Sequence, residues 1–255
     1  MKFIRNVILA AGLFLFCAGA QTQEQSADKK DLTPEEIIRK FTEKETEFYK
    51  AWMQYAYVQR AEIRVRSVDG APSNESMTLV SEVVFNDDGS REIRKVRRNG
   101  RLKSVHFTQE DIDIIENINP FSLTTKDLPL YNLKYAGKEK VDELNCHVFA
   151  VKPKSFKRGH LYFEGRIWVD DADLQIVRTV GKAVPQGEQR FPEFETLRQI
   201  IDGKYWFPVY VHADDRLHFP DTTVRLEETI TYSDYKKFES KATIRYKLPD
   251  SDDPE

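Results

Sequence analysis

The sequence has little cysteine. Two occur in 255 residues, and Cys17 falls in a segment expected to be removed, which leaves Cys146. One thiol cannot form an intrachain disulfide, so an oxidising compartment is compatible but unused. Histidine is also sparse: His106, His147, His160, His212 and His218. None stands in an H-E-x-x-H pattern, and no cysteine pair accompanies them, so nothing supports a zinc site. Nor is there a G-x-S-x-G elbow or a glycine loop that could cradle phosphate. Cys146 and His147 are adjacent, so in a strand they point to opposite faces and cannot act as nucleophile and base. Asp170-Asp171-Ala172-Asp173 lacks the later ligands of a calcium loop and reads as a turn. His212, Asp214 and His218 could in principle hold a metal, but a strand end followed by a loop favours ordinary surface residues. These absences predict a non-enzymatic protein with no cofactor and no metal. Excess positive charge is missing too. The net charge is −3, which argues against a dedicated nucleic-acid binder.

One long apolar run is present, Val7 to Phe16, too short to span a bilayer. Lys2 and Arg5 precede it, and Ala18-Gly19-Ala20 follows as an A-x-A site. Residues 1–20 therefore read as a secretory signal cleaved near Ala20, and the expected location is periplasmic. An uncleaved N-terminal anchor is the alternative reading. Residues 21–32 are polar and read as a flexible lead.

Thr33-Pro34-Glu35-Glu36 has the residues of a helix start: a capping threonine, a proline for the first turn and a glutamate to close the capping box. Ile37, Phe41, Phe48 and Trp52 then recur at helical spacing, which predicts an amphipathic helix over Thr33–Trp52 lying as a lid on something apolar. From Tyr55 the period changes to two. Ile63 and Val65 alternate with polar residues, and Leu79, Val83 and Phe85 face one way along the next strand. Ile93 and Val96 break the alternation of Arg91–Arg98 and predict a bulge. Asn99-Gly100 predicts a hairpin with a returning strand over Arg101–Phe107. A second helix opens at Thr108, with Ile112, Ile115 and Ile118 on one stripe. Phe121 to Lys134 is irregular, either a mobile lid or a covering loop.

Tyr162 to Lys182 reads as a hairpin around Asp170–Asp173, with Ile167 and Val169 on one face. Val209 and Val211 face one way in a strand that Pro208 marks as an edge or a bulged strand. Leu226 and Ile230 alternate with polar residues in a long last strand. Lys247 to Glu255 reads as a disordered acidic tail, so the folded domain is expected over residues 33–246. The count is ten or eleven antiparallel strands and two main helices. The fold expected is mainly β (α+β): one large antiparallel sheet curved into an incomplete β-barrel, its helices covering the concave face. Alternation with polar residues predicts that only that face is buried.

Several stretches together resemble the LolA-like family of periplasmic outer-membrane lipoprotein-sorting proteins. They are Glu164-Gly165-Arg166-Ile167-Trp168-Val169-Asp170, Leu174-Gln175-Ile176-Val177-Arg178, Asp202-Gly203-Lys204-Tyr205-Trp206-Phe207-Pro208, and Thr231 to Phe238. The likeness covers roughly Tyr55 to Phe238. It implies a half-barrel with a wet convex side and an apolar concave side that holds acyl chains, with no catalytic residues. The expected function is binding of lipid or lipoprotein, with carriage to the outer membrane as its extension. The apolar candidates for the cavity are Ile63, Val65, Leu79, Val83, Phe85, Ile167, Val169, Val209, Val211, Leu226 and Ile230. Alternatively these residues pack solidly against the helices and leave no cavity. A second reading is a non-enzymatic interaction or lipid-sensing module whose partner is an inner- or outer-membrane protein. Arg91–Arg98 and Lys154–His160 would then be contact surfaces, where the plainer reading of the basic run is a solvated sheet face.

Overall fold

The computed structural model describes residues 32–69, 71–86, 90–186, 190–220 and 222–238. The expected signal segment, nearly all of the lead, the acidic tail and the turn at Asp87-Asp88-Gly89 lie outside the described residues. Leu32 excepted, what is described belongs to one compact unit, Thr33–Glu255.

Its first element is α1, Pro34–Trp52. The capping box forms as the residue types require. The Thr33 hydroxyl accepts from the Glu36 amide at 3.3 Å, and the Glu36 carboxylate accepts from the Thr33 amide at 2.8 Å. Ten strands follow: β1 Tyr55–Arg66, β2 Pro72–Phe85, β3 Arg91–Arg101, β4 Tyr131–Val141, β5 Leu144–Pro153, β6 Tyr162–Asp170, β7 Ile176–Val184, β8 Phe194–Ile201, β9 Tyr205–His218 and β10 Thr223–Lys237. They make one antiparallel sheet in the order β3-β2-β1-β10-β9-β8-β7-β6-β5-β4. The sheet is not closed: β3 and β4 are its two edges.

Contacts of α1 give the curvature. Phe41 packs on Phe149 of β5 with ring centroids 5.6 Å apart, Phe48 on Phe207 of β9 at 5.6 Å, and Trp52 stacks on Tyr57 of β1 at 5.9 Å. Phe41 and Trp52 are only about 16 Å apart along the helix at 1.5 Å per residue. In a flat sheet, β1 and β5 would be about 29 Å apart, six intervals of ~4.8 Å. A helix this short touches both because the sheet curls around it.

The open order sets up a second cover. β3 and β4 are consecutive in the chain yet lie at opposite edges, so the connection 102–130 must cross the sheet. It does so on the concave side. The Gln59 side chain of β1 donates to the Ile115 carbonyl at 3.0 Å, Thr196 of β8 donates to the Asn119 carbonyl at 2.6 Å, and Phe121 stacks on Phe163 of β6 at 4.3 Å. Within this strap the expected second helix is shorter than its isoleucine stripe. A five-residue helix, α2, Gln109–Asp113, runs into one wide turn, Ile114–Ile118, closed by Asn119 donating to the Ile114 carbonyl at 2.9 Å. The stretch from Phe121 is a packed covering loop: Phe121 is buried and Leu123 has no exposure.

Two expectations are corrected. Asn99-Gly100 makes no hairpin; both residues lie inside β3, paired with Thr78 and Met77. Gly100 does adopt positive φ, +80°, but there the missing Cβ serves close approach to the Ser76 carbonyl rather than a turn. The segment after Arg101 therefore becomes the strap, not a returning strand. Nor is only one face buried. Cys146, Val148, Trp168 and Val177 form a small cluster, partly covered by Trp206, Leu144 and Val180. Val148 and Trp168 pair across β5 and β6, one residue out of phase with Phe149 and Ile167, so the cluster lies on the face turned away from α1. There the Trp168 indole donates to Glu139 at 2.9 Å and carries the Arg178 guanidinium 4.5 Å above its ring.

Bulges fall where alternation fails. The β2–β3 register slips between Val80 and Ser81, opposite Arg97 and Lys95. β9 is an interior strand, so Pro208 marks a bulge and not an edge; Leu197 pairs with Tyr210 and Arg198 with Pro208, leaving Val209 unpaired there.

Candidate functional site

The concave face is divided. Under α1 it is filled. Ile37, Phe41, Phe48 and Trp52 are buried to 5% exposure or less, and Ile167, Val169, Val211 and Ile230 have none. A buried ion pair, Glu45 of α1 with Arg198 of β8, completes this half.

Under the strap it is not filled. A cavity of about 340 Å³ lies between the sheet and residues 102–115. Ile63 of β1, Leu217 of β9 and Leu226 of β10 form its floor, and Leu102, Ile114 and Ile115 its roof. A neighbouring cavity of about 250 Å³ lies on the other side of Phe107 and Ile115, over Ala61 and Leu79. The reason for the division is local. α1 carries three large aromatic side chains on a regular face, whereas the strap changes helical pitch at Ile114 and cannot follow the sheet closely.

Of the apolar residues predicted to line a cavity, Ile63, Leu79 and Leu226 line these two. Val65 and Val83 are buried without lining either. Phe85 stacks on Phe238 at 4.6 Å, near the end of β10. Val209 is half-buried at the bulge. These two spaces lie beneath the strap; a further one of about 340 Å³ lies where the end of the lid helix, at Tyr49 and Trp52, meets strap residues Ile118 and Phe121.

Sequence reasoning passed over the polar residues of this cavity. Glu228 of β10 is 6% exposed and lines the larger cavity. Among the described residues no hydrogen-bond donor reaches its carboxylate. Burial, and behind it the charge of Asp111, pushes its pKa up to about 7. Asp111 of α2 lines the same cavity and accepts from the Thr108 amide at 2.6 Å and hydroxyl at 2.9 Å. His106 and Arg190 also reach its wall. Strand parity carried the signal: Glu228 falls between Leu226 and Ile230 on the inward face.

The metal candidates are apart from this site. Asp214 is held by Arg225 through two contacts of 2.7 and 2.6 Å, which keep its pKa low, and His218 meets the Thr223 hydroxyl at 3.0 Å. Among the described residues no cluster of three or more His, Cys, Asp or Glu has metal-binding geometry. The basic run lies on edge strand β3, where charge discourages pairing with another sheet.

No protein-family model matches the chain, and no curated protein does. Solved structures are similar to it. A DUF1329 family protein from Desulfovibrio piger is 14% identical, with 79% of this chain and 93% of that one covered at a TM-score of 0.37. An outer membrane lipoprotein-sorting protein domain from Vibrio parahaemolyticus is 10% identical, covering 79% and 93% at 0.36. A LolA superfamily protein from Nitrosomonas europaea is 14% identical, covering 82% of this chain and 95% of its own at 0.36.

Proposed function

We propose that this chain binds a hydrocarbon-bearing ligand, a lipid or the acyl chains of a lipoprotein, in the cavity beneath the strap. One observation supports the reading above others: an unfilled space of about 340 Å³ between sheet and strap, lined mainly by apolar side chains. Its floor and roof are Ile, Leu and Phe side chains, so each methylene that enters is removed from water at about 0.8 kcal/mol. The strap crosses the sheet as a single connection, and could lift without unpairing any strand once its hydrogen bonds to Gln59, Glu75, Thr196 and Arg198 are given up. We take residues 1–20 as an export signal and residues 33–246 as one binding domain, which places the ligand in the periplasm. Carriage to the outer membrane would follow if the strap opens to a membrane partner.

Native mass spectrometry of gently purified protein tests the reading. A mass increment that solvent extraction converts to free lipid is the expected result. A clean unliganded mass, together with failure to take up added lipid, overturns it. Sequencing the N-terminus of protein recovered from the periplasm tests the export assignment, which requires a start near Gln21.

A further inference from the structure

The cavity is greasy but not neutral. Glu228 is 94% removed from solvent, its carboxylate borders the open space, and no donor among the described residues meets it. A buried charge without a partner is costly to keep. Asp111 stands on the opposite wall, on the strap, so two carboxylates face one apolar chamber from two different elements. Arg190 is on the same wall, with its Nε donating to the His218 carbonyl at 3.1 Å, and no hydrogen bond joins it to Glu228. A fatty acid or a phosphate headgroup at this depth would add a third negative charge. A plain hydrocarbon would bury Glu228 further and leave it unmet. A protonated amine satisfies the carboxylate and is drawn by both.

We propose that the ligand taken by this cavity is a cationic amphiphile, a hydrocarbon body carrying a protonated amine that pairs with Glu228 and is attracted by Asp111. The inference rests on the cavity being a hydrocarbon site and adds its charge selectivity. The strap then acts in recognition as well as covering, because it delivers one of the two carboxylates.

The test uses three probes of equal chain length, decylamine, decanol and decanoate, titrated into the full chain below their micelle concentrations. At about pH 8.5, where Glu228 is ionised, decylamine is expected to bind at least about tenfold more tightly than decanol, with decanoate weakest. Glu228→Gln should remove most of that preference and leave decanol unchanged or tighter. At about pH 5.5 the wild-type preference should shrink toward that of the variant, because protonation of Glu228 does what the substitution does. His106, Asp111 and Arg190 share the wall, so this arm is read as the difference between wild type and variant. Equal binding of all three probes, or an amine preference that survives Glu228→Gln at both pH values, overturns the proposal and leaves the hydrocarbon site standing. Binding of none of the three overturns both.

Discussion

Arg198 of β8 clasps Glu45 of α1 in a two-pronged pair, Nη1 to Oε1 at 3.0 Å and Nη2 to Oε2 at 3.2 Å, with the side chains 1% and 0% exposed. The Ile176 amide of β7 also donates to Glu45 at 3.2 Å, Arg198 donates to the Phe121 carbonyl, and its guanidinium lies 4.4 Å over the Phe48 ring. Burial raises the Glu45 pKa, and the facing guanidinium opposes that rise. One pair thus ties helix, sheet and strap together. Removing one partner leaves the other as a buried, unmatched charge. Arg198→Met alone is expected to cost about 3–5 kcal/mol in urea unfolding, and adding Glu45→Leu should recover most of it. If the double variant is as weak as the single, the pair is not the source of the loss.

Two glycines should be irreplaceable for a different reason. Gly165 and Gly181 pair across β6 and β7 beneath the Phe163 ring. A Cβ on Gly165 would meet the Val180 carbonyl oxygen and come within 2.5 Å of the Gly181 Cα; one on Gly181 would lie 2.6 Å from the ring. Neither has positive φ, so the constraint is space and not backbone strain. Alanine at either position is expected to destabilise by about 1–3 kcal/mol or more, since backbone cannot move aside as a side-chain tip can. An unchanged melting temperature for Gly165→Ala would show that the strands separate without cost.

Much of this fold could be read from residue types. The capping box at Thr33, the aromatic stripe of α1, the hairpin around Asp170 and the bulge at Pro208 each depend on local chemistry, which the sequence displays directly. What could not be read depends on pairing across long separations. Asn99-Gly100 has the residues of a turn, but β2 extends far enough to hold it inside a strand. The strap crosses the concave face because β1 pairs with β10, and nothing near Thr108 records that. The site was harder still. Counting apolar residues favoured Ile167 and Val211, which are filled over, whereas the informative residues were the acids that break the apolar pattern. Glu45 interrupts the stripe between Phe41 and Phe48, and Glu228 interrupts the inward row between Leu226 and Ile230. A charge on an otherwise apolar face marks either an internal pair, as at Glu45, or a candidate site, as at Glu228.

The Cys146 thiol is a further consequence of the two-sided burial. It has no exposure, and burial, with Asp170 and Asp171 adding to it, pushes its pKa up to about 11. The thiolate is the reactive form, so both access and ionisation oppose reaction. Iodoacetamide at neutral pH is expected to leave Cys146 unmodified in the folded protein and to label it rapidly in urea. Rapid labelling without denaturant would mean that the Trp168 cluster opens readily.

Glu228 should leave a mark on the pH dependence of stability even without ligand. Its folded pKa, about 7, lies above the ordinary carboxylate value of 4.5. The folded state therefore binds the proton more tightly than the unfolded chain, and stability from this group is lost as pH rises. The contribution is complete below about pH 4.5 and declines until pH passes about 7, a change on the order of a few kcal/mol at ~1.4 kcal/mol per unit. Asp111 from α2, His106 and Arg190 from the cavity wall, and Tyr232 from β10 all bear on the same space, so the total pH profile is not attributable to one residue. The difference between wild type and Glu228→Gln is. The amide cannot ionise, so the variant should match wild type at the acid end and exceed it increasingly toward pH 8 in urea unfolding. Parallel profiles across that range would mean that the carboxylate has the same proton affinity folded and unfolded. A cationic ligand should reverse the sign of this dependence, since it binds the ionised folded form and stabilises it where the free protein is weakest.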